Sequence, residues 1–195
     1  MANNCEYVAR IVGRKRKDVE RFIRILDYRD KEGLCCRRTF RVCCDGGIEK
    51  DSDSRFYYAD IYGDVAWSVA GCWISQTRMP REEDNSYPNG KQMNNHFTSG
   101  GKKRFANLRA TVLQICELLD CSIEIWSREP GMGFQEHYLV NHDGELVVDD
   151  SVDWAECDYK EDLNTHELKE VAPELGGFED YGDFRPLESI YGRDL

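Results

Sequence analysis

The chain has 195 residues, 41% apolar and 32% charged, with a mean hydropathy of -0.66; this is an ordinary globular composition, long enough for a real core, and it excludes a collagen, a coiled coil or a disulfide knot. The 26 basic and 37 acidic residues leave a net charge of -11, which argues against a generic nucleic-acid or anionic-membrane binder, since both need a basic footprint. No apolar run approaches the roughly 20 residues of a transmembrane helix, and the opening Met1-Ala2-Asn3-Asn4-Cys5-Glu6 has no basic and apolar leader pattern, so the expected location is the cytosol.

Residues 6–12 are β-rich with partial alternation and end at Gly13, which predicts a first strand. Across 15–30, Val19, Phe22, Ile23 and Leu26 recur at helical spacing beneath a basic face of Arg16, Lys17, Arg21 and Arg24. Residues 34–44 alternate through Arg38, Phe40 and Val42 as a strand; Asp45-Gly46-Gly47 reads as a turn and 55–62 as another strand. The apolar stretch Val65–Ile74 fits a strand or a short helix. Residues 76–103, with Pro80, Pro88, Gly90, Gly100 and Gly101, form a loop far beyond the usual length of roughly 4–6 residues, a kind that tends to be functional or disordered.

Helical spacing returns over 105–119 through Phe105, Leu108, Val112, Ile115, Cys116 and Leu119, and Asp120 caps the far end. Residues 122–127 alternate as a strand, Glu129-Pro130-Gly131-Met132-Gly133 is a turn, and 134–148 is a hairpin through Asn141-His142-Asp143-Gly144. Strand-helix-strand thus occurs twice. This predicts an α+β fold: a ferredoxin-like split β-α-β sandwich, with an antiparallel sheet and two helices on one face. It would occupy residues 1–150, with the long loop inside it, and be followed by an acidic C-terminal extension, 151–195, folded in part. The name describes topology; the cysteine spacing suits no iron-sulfur cluster.

Charge is unevenly spread. Residues 1–44 carry 12 basic and 6 acidic groups, whereas residues 143–195 carry 4 basic and 17 acidic ones. Such an acidic end either packs on the basic beginning or offers a decoy surface to a nucleic-acid-binding partner. Apolar residues from Trp154 to Tyr191 interleave with the acids, so part of it is expected to fold. The nine cysteines, an odd number, read as reduced thiols. Cys35-Cys36 and Cys43-Cys44 are poor zinc pairs, because adjacent strand residues point to opposite faces.

Three kinds of site are weighed. The turn through Glu129, Gly131, Gly133 and Phe134 offers backbone amides that could form an anion-binding nest, and with Trp67 and Trp73 it would make a pocket sequestering a nucleotide. No Lys-Ser/Thr follows, so nucleotide hydrolysis is not supported. His137, His142, Asp143 and Cys157 lie near one another in sequence, as a cysteine enzyme would need; His137, His142, Cys157 and His166 are the corresponding zinc set. No nucleophile signature accompanies either. The third surface is acidic: Asp149, Asp150, Asp153, Glu156, Asp158, Glu161 and Asp162.

The opening Ala2-Asn3-Asn4-Cys5 before strand one, together with Glu129-Pro130-Gly131-Met132-Gly133-Phe134, resembles the YubB-type ferredoxin-like proteins of bacteriophages and plasmids. Asn4 stands where Trp is usual, and Arg128 where a first Glu is usual. The resemblance covers roughly residues 1–150. It implies a mobile-element setting in a host bacterial cytoplasm and implies no reaction. The leading expectation is therefore a non-enzymatic accessory protein, with no cofactor or metal and no direct contact with nucleic acid or membrane. It would bind a host bacterial protein or ribonucleoprotein and inhibit an antiviral defence, as anti-CRISPR proteins do, by charge mimicry.

Overall fold

A computed structural model describes residues 4–36, 38–74, 108–129, 133–153, 159–161, 168–170 and 184–192. The loop expected at 76–103 lies outside them. The elements in chain order are β1 (Asn4–Gly13), α1 (Arg16–Leu26), β2 (Leu34–Cys35), β3 (Thr39–Lys50), β4 (Tyr57–Ala66), one π-helical turn (Ala70–Ile74), β5 (Leu108–Arg109), α2 (Val112–Leu119), β6 (Cys121–Glu129), β7 (Phe134–Val140), β8 (Leu146–Asp153), β9 (Tyr159–Glu161), β10 (Leu168–Glu170) and α3 (Leu187–Tyr191).

Six strands form one sheet in the order β3-β4-β1-β6-β7-β8, and every neighbouring pair is antiparallel. The fold is α+β. Period-two alternation in β1 sends Cys5, Tyr7, Ala9 and Ile11 into the main core, where they meet Phe22 and Ile25 of α1 and Ile115 and Cys116 of α2. Val12 joins a second cluster with Phe56, Leu139, Ile190 and Tyr191. The sheet therefore buries apolar side chains on both faces, one beneath α1 and α2 and the other beneath α3.

Three predicted elements are corrected. Asp45-Gly46-Gly47 does not end a strand: β4 continues alongside, so the extra residues are absorbed as a bulge in β3. The register passes from Asp45 opposite Asp60 to Glu49 opposite Tyr58, and both glycines take positive φ, 68° and 83°. Helix α1 stops at Leu26 because Tyr28 turns left-handed, at φ 56°. Helix α2 starts at Val112, not near 105, since Thr111 and Gln114 form a reciprocal capping box. Leu108–Arg109 instead pairs in parallel with Leu34–Cys35. The hairpin through Asn141–Gly144 is present, with the Asn141 side-chain oxygen accepting from the amides of Asp143 (3.1 Å) and Glu145 (2.9 Å).

The end of the extension packs on the body. Ile190 and Tyr191 are fully buried, and Ser122 Oγ donates to the Tyr191 carbonyl at 3.2 Å. Among the described residues no helix is long and apolar enough to cross a membrane.

Candidate functional site

On the sheet face away from α1 and α2, the ladder lines up Asp60 of β4, Arg10 of β1 and Glu124 of β6. Arg10 donates through Nε and Nη2 to the two oxygens of Asp60, each at 2.6 Å, a bidentate fork that pushes its guanidinium further up from its ordinary value. Tyr58 and Phe184 flank the guanidinium carbon, with ring centroids at 5.1 and 4.8 Å. The Glu124 carboxylate is 1% exposed. It bonds His137 Nε2 at 2.9 Å, accepts the Arg185 backbone N–H at 2.9 Å, and has the Arg185 Nε at 3.4 Å. The His137 ring lies flat on Trp126, its partner across the ladder, with centroids 3.6 Å apart and planes 4° off parallel.

These charges alternate across three strands and a returning segment, so a buried carboxylate is offset by donors on every side. No nucleophile stands among them. The cluster positions residues 184–192 on the sheet.

A second buried carboxylate, Glu136 of β7, faces the main core. It accepts from the amides of Val69 (2.9 Å) and Ala70 (3.2 Å), from Ser127 Oγ (2.7 Å) and from the Tyr138 hydroxyl (3.3 Å). It therefore holds the start of the π-helical turn against the sheet.

Part of the acidic set lies among the described residues. Asp149, Asp150 and Asp153 lie on β8, the last strand of the sheet, and Asp149 and Asp150 are exposed. Asp149 sits opposite Tyr138, a main-core residue, and Asp150 opposite His137, so the two carboxylates leave the sheet on opposite sides. Glu161 ends β9, paired with Leu168 of β10. Glu156, Asp158 and Asp162 lie outside the described residues.

The residues expected to line a nucleotide pocket are placed in different settings where they are described. Trp73 is fully buried, edge-on to Tyr7 at 4.7 Å, with its indole N–H donating to Thr39 Oγ1 at 3.0 Å, which leaves no ring face for a ligand. Trp67 is 46% exposed and takes φ 73°. Glu129 is buried at the end of β6, where the Gly133 N–H donates to its carbonyl at 2.9 Å and closes the hairpin. Phe134 packs half-buried on the main core, and Gly131 lies outside the described residues.

Of the expected cysteine and zinc sets, only His137, His142 and Asp143 are described. His137 is engaged by Glu124, and His142 stacks on Tyr191 with Nδ1 3.3 Å from Asp143; Cys157 and His166 lie outside the described residues. Among the described residues no three His, Cys, Asp or Glu side chains converge as metal ligands. Burial pushes the Cys5 thiol up to about 12 and Cys35 up to about 11, the opposite of an activated thiolate. Cys43 and Cys44, opposite Tyr62 and Ile61, point to different faces. Maleimide labelling of the native protein, mapped by mass spectrometry, should modify exposed Cys44 and spare Cys5, Cys36, Cys72, Cys116 and Cys121 until denaturant is added. Native labelling of Cys36 or Cys116 would contradict the packing.

Sequence reasoning missed Arg10, Asp60, Glu124, Glu136 and Arg185. A signal was present for two of them: Arg10 interrupts Val8-Ala9-Arg10-Ile11-Val12, and Glu124 interrupts Ile123-Glu124-Ile125. A charge inside an apolar strand run needs a buried partner. No protein-family model matches the chain, and no curated protein and no solved structure matches it.

Proposed function

We propose that the protein is a non-enzymatic binding protein. Its acidic C-terminal region engages a basic surface of a host bacterial protein or ribonucleoprotein and so blunts an antiviral defence, as an accessory factor of a phage or plasmid. The observation that carries the binding mode is the acidic sheet edge: Asp149 and Asp150 project from the terminal strand β8, at the start of a region with 17 acidic against 4 basic residues over 143–195. Like charge held on a rigid strand presents a fixed field to a basic channel, and this favours fast, salt-sensitive association. The mobile-element setting rests on the two short motifs that resemble the YubB-type proteins. The pairing of β1 with β6 brings Asn4-Cys5 and Glu129 to one end of the sheet.

The strand order supports the ferredoxin-like, split β-α-β reading. β1 and β3 run parallel with β4 between them, β4 and β6 run parallel with β1 between them, and each pair is joined through a helix. In that reading β7 and β8 extend the sheet.

The test is capture of partners from bacterial lysate by the tagged protein at low and high salt, read by mass spectrometry. One defence or nucleic-acid-processing complex should be retained at low salt and lost as salt rises. Neutralising Asp149, Asp150, Asp153, Glu156, Asp158, Glu161 and Asp162 together should weaken that capture by at least about ten-fold. Unchanged capture by the neutralised protein would sink the proposal.

A further inference from the structure

Residues 184–192 behave as a ligand that the chain supplies to itself. Helix α3 has five residues, too few to be stable alone, so its conformation depends on the surface beneath it. Within the helix Leu187, Ile190 and Tyr191 fall at i, i+3 and i+4, the spacing of a helix face laid on a surface. Phe184 covers Arg10, and Arg185 is bound to Glu124 through its backbone N–H and guanidinium. Ile190 and Tyr191 fill a cluster with Val12, Phe56 and Leu139. Tyr191 occupies a formed socket: its hydroxyl bonds Asp120, His142 stacks on its ring at 4.4 Å, and the Arg14 guanidinium lies 5.0 Å from its centroid.

The polar pairs of the groove floor do not involve the occupant. Arg10 keeps the fork to Asp60, and Glu124 keeps His137. The six strands and the main core beneath α1 and α2 use no residue of 184–192. Residues 184–192 belong to the same chain as the groove, so their docking is intramolecular. An outside peptide must compete with that.

We propose that this outer-face groove is a peptide-recognition site, held closed in cis by residues 184–192. Its partner would be a protein segment of the same chemistry: an aromatic-arginine pair leading into a short helix that ends in Ile-Tyr. Glu124 selects the arginine by charge, and the Asp120 end of the groove selects the tyrosine hydroxyl. This site is separate from the acidic β8 edge and does not depend on the function proposed above.

The test uses a fluorescent peptide of residues 183–195 and the full-length chain, as wild type and as the double variant Ile190→Asp, Tyr191→Ala, which frees the groove. Anisotropy should show the double variant binding at least about ten-fold tighter than wild type, whose groove is filled at high effective concentration. A peptide carrying Arg185→Ala should lose most of that binding. A folded double variant that does not bind the peptide, or one that unfolds, overturns the proposal. Native-state hydrogen exchange of the wild type gives an independent reading: the Arg185 and Ile190 amides should exchange through a local opening, faster than the Ile11 amide of the central strand. Equal protection of all three would also overturn it.

Discussion

Replacing Glu136 by alanine should destabilise the fold by about 3 kcal/mol or more, because it strands several buried donors at once, each costing about 1–3 kcal/mol when left unsatisfied. Glu136 is 4% exposed, and its carboxylate collects the Val69 and Ala70 amides together with the Ser127 and Tyr138 hydroxyls. The hydroxyls can turn to other acceptors. The two amides are fixed by the backbone at the start of the π-helical turn and cannot rotate to find a replacement carboxylate. Urea unfolding followed by circular dichroism gives the number. A loss below about 1 kcal/mol would mean that the turn finds new acceptors, and the role assigned to Glu136 would fall.

The same side chain has a pH signature. Burial pushes Glu136 up from its ordinary value of 4.5, against the pull of its hydrogen bonds. A raised pKa in the fold means that the protonated form is favoured there. Its stabilising contribution is present below the unfolded value and is lost as pH rises through the folded one. Glu136→Gln has no such titration. The stability of wild type relative to Glu136→Gln should therefore decline as pH rises above 4.5; a difference that grew with rising pH would reverse the assignment.

The second large effect is Gly63→Ala. A Cβ at this position of β4 would stand 1.9 Å from the Arg41 carbonyl oxygen, 2.7 Å from its carbon and 2.9 Å from the Tyr7 hydroxyl. The β3 strand approaches this closely because it bulges between Thr39 and Arg41, and the Tyr7 hydroxyl donates to the same carbonyl at 3.0 Å. The obstacle is backbone, so no rotamer relieves it. The expected loss is about 3 kcal/mol, which for a chain of this size lowers the melting temperature by about 10 °C. Gly47→Ala is the control: its Cβ would meet nothing within 4 Å, and only its φ of +83° resists substitution. It should cost about 1 kcal/mol. If the two variants melted together, the close approach at Gly63 would be refuted.

What the sequence made legible was local. The β1 alternation, the α1 stripe and the Asn141–Gly144 hairpin each depend on residues within a few positions of one another, so periodicity and turn chemistry are enough to find them. The α2 start had its own signal, Thr111 and Gln114 at capping-box spacing, but apolar residues from Phe105 onward drew the boundary early. The bulge at Gly46-Gly47 could not be read from β3 alone, since whether two glycines turn a chain or bulge it is decided by the strand alongside. The clusters are less legible still. Glu124 advertises its need for partners as a charge in an apolar run, yet the Arg185 amide that answers it lies 61 positions away. Trp67 and Trp73 look equivalent in the sequence, and the path of the chain after β4 puts one in solvent and the other in the core.

The central place of β1 sets a timetable for the newborn chain. This strand leaves the ribosome before both of its partners, and its ladder needs residues 57–66 on one side and 121–128 on the other. At translation rates of roughly 5–20 residues per second, on the order of ten seconds separate the synthesis of Gly13 from that of its last partner. During that interval Val8, Ile11 and Val12 belong to an apolar strand with an open edge, the kind of surface that pairs with whatever strand it meets. Slower translation between Ala66 and Cys121 lengthens this exposure. Aggregation of the nascent protein should therefore follow the speed of the ribosome across that stretch more closely than the stability of the finished fold.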